Sequence, residues 1–161
     1  MRLREHQSAA QRQTFPDECR TLLELGRYGV LSTISKEYGG APSGGIVGFA
    51  ADERGRPVFF LSSMSGHTRD IMDDGRVSLT VTASDFKGAA DGRVTLTGRV
   101  TRVPEAEVPA ARAGYLSKHT DAFWVEFGDF SCWRMDEILG IRLVRRAFPD
   151  GLVPRAPAKQ H

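Results

Sequence analysis

Between Ser62 and Arg69 the chain sets three serine hydroxyls, a threonine hydroxyl, an imidazole and a guanidinium within eight residues: Ser62, Ser63, Ser65, Gly66, His67, Thr68 and Arg69, with Met64 among them. Such residues at the start of a helix make an anion site. The first helical N–H groups have no partner within the helix, the dipole favours negative charge, and hydroxyls donate to oxyanions. Arg69, or a protonated His67, adds charge to those bonds. A phosphate or a carboxylate suits the turn. The same residues also make ordinary turns and caps, and both readings stand at this point.

Other reactive residues are sparse. Cys19 and Cys132 stand alone without ligand spacing, so a zinc site or disulfide framework is not expected, and a reducing compartment fits. Cys132 has no histidine near it in sequence and reads as a buried strand residue. The chain has no nucleophile elbow, no P-loop, no dinucleotide glycine fingerprint and no metal cluster motif. The 22 basic and 20 acidic residues leave a formal charge of +2, too balanced to argue for a nucleic-acid partner. No apolar run approaches the roughly 20 residues that cross a bilayer. Arg2 and Arg4 are followed by no apolar stretch, so no secretory signal is expected. The expected setting is the cytoplasm, or a plastid stroma if a transit segment has been removed.

At 161 residues one domain with a single core is expected. The expected division is a frayed segment over 1–14, a folded domain over 15–147 and a Pro-rich irregular tail over 148–161. The polar turn must be held by its neighbours. Val58 to Leu61 is a short, continuous apolar run and reads as a buried strand. A short helix follows the serines and stops at Asp73-Asp74-Gly75. Val77 to Val81 alternates as the next strand. Upstream, Thr14-Phe15-Pro16 starts a helix whose apolar side is Cys19, Leu22, Leu23 and Leu25. Tyr28 to Ile34 and Ala41 to Ala51 read as strands joined by a turn over Lys36 to Gly40, with Gly44, Gly45 and Gly48 marking a bulge or a close approach. Downstream, Arg93 to Val103 alternates strictly, a helix runs from about Pro104 to Lys118, and strands follow over 130–135 and 141–144. Six or seven strands with three helices do not alternate as a doubly wound sheet requires. The expected fold is mainly β with peripheral helices, a six- to seven-stranded antiparallel barrel.

The ordered segments YGVLSTISKEYGGAPSGGIVGFAAD, PVFFLSSMSGHTRDIM, RVSLTV, RVTLTGRV and YLSKHTDAFWVEFGDFSCWRM resemble the pyridoxamine 5′-phosphate oxidase-like, FMN-binding split-barrel superfamily. Within it, the HugZ/HutZ-type haem-degrading branch and its plastid relatives are most similar. The resemblance covers about residues 16–146. It implies a homodimer with haem or FMN in a cleft between two split barrels, and an oxidoreductase-like function that extends to haem degradation. A catalytically silent dimeric binding or regulatory module of the same fold is the alternative.

Carried over residue by residue, the resemblance implies cofactor binding by Ser43, Ser62, Ser63, His67, Thr68 and Arg69, with Pro42 beside the same cleft. Flavin oxidases of this superfamily have Arg-Lys where this chain has His67-Thr68, which is the haem branch's pattern. The haem branch also carries a late iron-ligating histidine, in a motif resembling GGFG-x-A-H-W. Here Leu143 to Phe148 lacks the glycines, and Phe148 stands where that histidine would be. His67 and His119 are the remaining candidates for the iron. His119 lies in a YL-x-x-H pattern, where a bond to backbone is the competing role. Asp129 is the candidate catalytic group, bordering the cleft with Trp133 and polarising a bound water or peroxide. Otherwise Trp124, Phe127, Phe130 and Trp133 are core and dimer interface.

Overall fold

A computed structural model describes residues 14–146. Residues 1–13 of the expected frayed segment and the whole expected tail over 148–161, with His6, Phe148 and His161, lie outside the described residues, while Thr14 is the N-cap of the first helix. The elements run α1 (Phe15–Leu25), β1 (Tyr28–Ile34), β2 (Pro42–Gly48), β3 (Ala50–Ala51), β4 (Pro57–Ser62), α2 (Gly66–Asp73), β5 (Arg76–Thr82), β6 (Arg93–Arg102), α3 (Val108–Lys118) and β7 (Phe130–Val144). Single 3-10 turns occupy Glu105–Glu107 and Phe123–Glu126. The seven strands form one sheet in the order β2-β1-β5-β6-β7-β4-β3, antiparallel throughout. The expected mainly β architecture with peripheral helices is the one observed.

Both edges of this sheet belong to one stretch of chain. β2 pairs with β1 at one edge, β3 pairs with β4 at the other, and only Phe49 separates them. The sheet must therefore curl until its two edges meet at that residue. Ala41 to Ala51, which reads as a single strand in the sequence, is a strand broken at Phe49 so that its two ends serve opposite edges. Phe49 is fully buried. Its N–H donates to the Arg27 carbonyl at 3.1 Å, and its own carbonyl accepts from His119 Nε2 at 2.8 Å. Away from Phe49, β2 and β4 diverge and leave the barrel split.

The hydrophobic pattern explains the layers. Val77, Leu79 and Val81 of β5 and Val94, Leu96 and Val100 of β6 face the barrel interior, and the residues alternating with them face outward. β4 does not alternate, because both of its faces are covered. Phe59 and Leu61 join the interior core with Trp133 and Met135, while Val58 and Phe60 join a second core under α3 with Tyr115, Val125 and Cys132. Each such side chain contributes about 1.5–3 kcal/mol on full burial. β7 is one fifteen-residue strand rather than two pieces. Register shifts beside Gly98 and Val100 bend it along β6.

α2 is fixed by a buried acid. Asp70 accepts from Thr33 Oγ1 at 2.7 Å and from the Lys36 N–H at 3.1 Å, which ties the helix to β1 and the turn that follows it.

Candidate functional site

Where β2 and β4 part, a cavity of about 150 Å³ opens. Val47 and Gly48 of β2 form one wall, and Phe60, Leu61 and Ser62 of β4 form the other. The start of α2 closes one end with Ser65 and His67. Tyr115, Trp124 and Phe130 close the rest, and Tyr28 stands at the mouth. The cavity thus exists because one strand serves both sheet edges, and the polar turn after β4 lies at its rim.

Tyr115 and His119 are four residues apart on α3 and share a face. Their rings stack at 4.5 Å, and Tyr28 meets His119 edge-on at 5.7 Å. Because the Phe49 carbonyl can only accept, His119 Nε2 carries the proton. Burial holds the His119 pKa below its ordinary value, a shift partly offset by the bond to Phe49. His119 therefore fastens the strand switch and is engaged with backbone. Burial also pushes the Tyr115 phenol up to about 12, so it stays a neutral O–H donor at the cavity wall. The approach requires glycine at 48: a Cβ there would lie 2.7 Å from the Tyr115 hydroxyl.

The polar turn divides in two directions. His67 faces the cavity, leaning toward β2, where a Cβ on Gly45 would lie 4.0 Å from its Nδ1. Burial lowers its pKa, with Asp70 opposing, so the ring is neutral near pH 7. Arg69 lies two residues on, and lines a separate surface groove with Lys36, Asp70 and Asp73. Ser65 occupies the N-cap of α2, yet its hydroxyl makes no capping bond, so the first helical N–H groups keep no side-chain partner at the cavity's end. Thr68 is buried and its hydroxyl has no partner. Ser63 is exposed. Ser43 sits in β2 opposite Thr33.

Asp129 meets this turn from the far side of the sequence. Ser62 Oγ donates to Asp129 Oδ2 at 2.5 Å, and the Ser63 N–H donates to the Asp129 carbonyl at 2.8 Å. Ser62 Oγ also accepts from the Met64 N–H. Its single proton is therefore given to Asp129. Trp133 is not brought to the cavity: it is buried in the interior core, with Arg102 over its ring. The aromatic residues that do reach the cavity are Trp124 and Phe130. The sequence reading assigned these to core or interface, and missed Tyr28 and Tyr115. The Tyr115-to-His119 spacing was the available signal, since it sets both rings on one helical face.

Among the described residues, no group of three or more His, Cys, Asp and Glu could hold a metal ion. No described helix is long and apolar enough to cross a membrane.

The family model described as the β-barrel of CREG matches residues 10–141. A curated protein of Arabidopsis thaliana named "Non-canonical heme oxygenase HOZ, chloroplastic" is 41% identical over 131 residues. That match covers 81% of this chain but 40% of the plant protein, so the chain spans less than half of that relative's length. A heme binding protein from Mycobacterium smegmatis has a solved structure 30% identical to the chain, with a TM-score of 0.73; the match covers 83% of this chain and 55% of that one. HutZ from Vibrio cholerae, described as a heme storage protein, is 16% identical with a TM-score of 0.60, covering 82% of this chain and 95% of its own. At that identity it shares the fold alone.

Proposed function

The chain belongs to the CREG β-barrel family, and on that premise we propose that it binds haem in the cleft between β2 and β4, as a homodimer, and acts in haem degradation. One observation carries the reading: the cleft presents a neutral, half-buried imidazole, His67, among aromatic walls. A neutral imidazole is the form that ligates iron. The named activities of the plant and mycobacterial relatives support the same cofactor.

The residues fit the group in three respects. Phe60, Trp124 and Phe130 supply the apolar surface that a macrocycle needs and keep water out. The uncapped N-terminus of α2, with Ser65, suits a propionate. The Tyr115 O–H is held protonated as a donor at the wall. Haem supplies the one-electron and oxygen chemistry when bound. The chain's part is to exclude water, orient the group and hold these protons.

The cleft's size argues for a second copy. At about 150 Å³ it is smaller than the roughly 300–1,000 Å³ that holds a drug-sized ligand. The remainder of the cofactor has to lie on the rim and against another surface. Tyr28, Val30 and Ile46 supply one: they are 57, 42 and 78% exposed on the outer face of β1 and β2, with Val30 paired to Ile46. Two buried thiols fit a reducing compartment, the cytoplasm or a plastid stroma.

Flavin is the second reading, favoured by the same uncapped helix start. Against it, Ser62 spends its proton on Asp129, Arg69 lies on the other groove, and the neutral His67 brings no charge to a phosphate. Spectra of the purified protein with added haemin or FMN decide between them. A saturable Soret band is expected, weakened about tenfold or more in His67→Ala and unchanged in Arg69→Ala. A band near roughly 450 nm with FMN and none with haemin would assign the cleft to flavin. Neither band would leave the silent binding module.

A further inference from the structure

α2 has eight residues, too few to hold a helix or its direction alone. Its cap residue Ser65 makes no side-chain bond, and its buried residues are Thr68, Asp70 and Ile71. The Thr68 hydroxyl has no partner, and Ile71 packs in the interior core. Apolar contact sets where a helix lies but does little to stop it rolling about its axis. Hydrogen bonds are directional. Among the described residues, those that join α2 to β1 and its turn are both accepted by the Asp70 side chain.

Thr33 Oγ1 gives its one proton to Asp70 at 2.7 Å, and the Ser43 carbonyl of β2 stands 3.4 Å from the same hydroxyl. The Lys36 N–H donates to the other carboxyl oxygen at 3.1 Å, while the Lys36 ammonium goes to Asp73. Thr33 is 2% and Asp70 7% exposed, so water competes little for these bonds. The brace thus runs from α2 through β1 to β2. β2 carries Val47 and Gly48 of the cleft wall, and Gly45, whose Cβ position lies 4.0 Å from His67 Nδ1. Asp70 itself lines the outer groove and is not part of the cleft wall.

We propose that Asp70 is a positioning residue for His67: its two directed bonds set how the imidazole stands against β2 across the cleft. The consequence for cofactor binding rests on the haem reading, whereas the positioning is a property of the free protein. Outer partners of this kind typically change affinity by about 10–100-fold when removed.

In the free full-length chain, a nuclear Overhauser contact between the His67 ring protons and the Gly45 α protons reports the spacing. Asp70→Asn keeps the brace: its amide donates to Thr33 Oγ1, whose proton turns to the Ser43 carbonyl, and its oxygen still accepts from Lys36. Asp70→Ala removes it. The contact should persist in Asp70→Asn and vanish in Asp70→Ala. Haemin affinity, read from the Soret band, should stay within about threefold in the first and fall about tenfold or more in the second. An Asp70→Ala protein that keeps the contact or the affinity would overturn the proposal, and so would an Asp70→Asn protein that loses as much as Asp70→Ala. Wild type without a Soret band would defeat the haem reading alone, because the contact still decides for Asp70. If Asp70→Ala does not fold, Thr33→Val takes its place: it removes the strand's donor, and an unchanged contact there overturns the proposal equally.

Discussion

Removing the His119 proton donor should loosen the strand switch by a measurable and pH-dependent amount. His119→Phe keeps a ring in the buried space but leaves the Phe49 carbonyl without its donor. An unpaired buried acceptor costs about 1–3 kcal/mol. In a domain of this size, about 2 kcal/mol lowers Tm by roughly 4–8 °C. His119→Gln, which keeps an N–H donor, should recover part of that loss. The pH dependence follows from the lowered pKa of the folded state, caused first by burial. The unfolded chain binds the proton more readily, so stability rises with pH through the ordinary value of about 6.5 and falls below it. The deficit of His119→Phe relative to wild type should therefore be full near pH 7.5 and narrow toward about pH 5.5, where the wild type alone must hold a reluctant imidazole. Thermal melts followed by circular dichroism at both pH values measure it. His67 is also shifted down by burial but is present in both proteins, so the difference isolates His119. A variant that melts with the wild type at about pH 7.5, or a deficit that grows as pH falls, would refute the seam argument.

Three further outcomes are expected. Gly48→Ala puts a Cβ 2.7 Å from the Tyr115 hydroxyl; the displaced ring should cost about 1–3 kcal/mol in stability and fill the cleft, which a haemin titration would show as lost affinity. Ser62→Ala removes the donor to Asp129; urea unfolding should show a loss of about 1.5–3 kcal/mol, the range for bonds to charged groups. Light scattering should give twice the 17.7 kDa chain mass for the wild type, while Ile46→Asp, burying a charge in the proposed interface, should give the chain mass alone.

Legibility tracked how local each interaction is. Alternation in 77–81 and 93–103 gave strands because each residue's side follows from its neighbours two away. The continuous run at Val58 to Leu61 gave a strand covered on both faces for the same reason. The switch at Phe49 was not legible, since nothing within 41–51 says that its two ends pair with strands on opposite edges. The glycines hinted at it, and Gly48 does mark a close approach, but the approaching group is Tyr115, far along the chain. The cleft was half legible. The hydroxyl and imidazole types in 62–69 could be read. Which of them share a side could not, because His67 and Arg69 are two residues apart and a helix turns them about 200° away from each other. A helix start was expected there, but which residues of its first turn point into the cleft depends on where β2 and β4 part, which no local pattern shows.

The bond between Ser62 and Asp129 bears on more than stability, because it changes what the turn can recognise. A phosphate held at a helix start needs donors and positive charge. This turn offers backbone N–H groups and Ser65, but it has given the Ser62 proton to a carboxylate and sent its guanidinium to another groove. What remains is a set of neutral donors (backbone N–H groups, Ser65 and the Tyr115 O–H), a neutral imidazole and aromatic walls. Such a set is weak for a compact dianion and well suited to a broad apolar ring carrying a carboxylate at its edge. The departure from the flavin oxidases at His67-Thr68 thus has a structural counterpart in Asp129, which takes the Ser62 proton from far along the chain. Both features favour the proposed haem reading of the cleft over a flavin anchored by its phosphate.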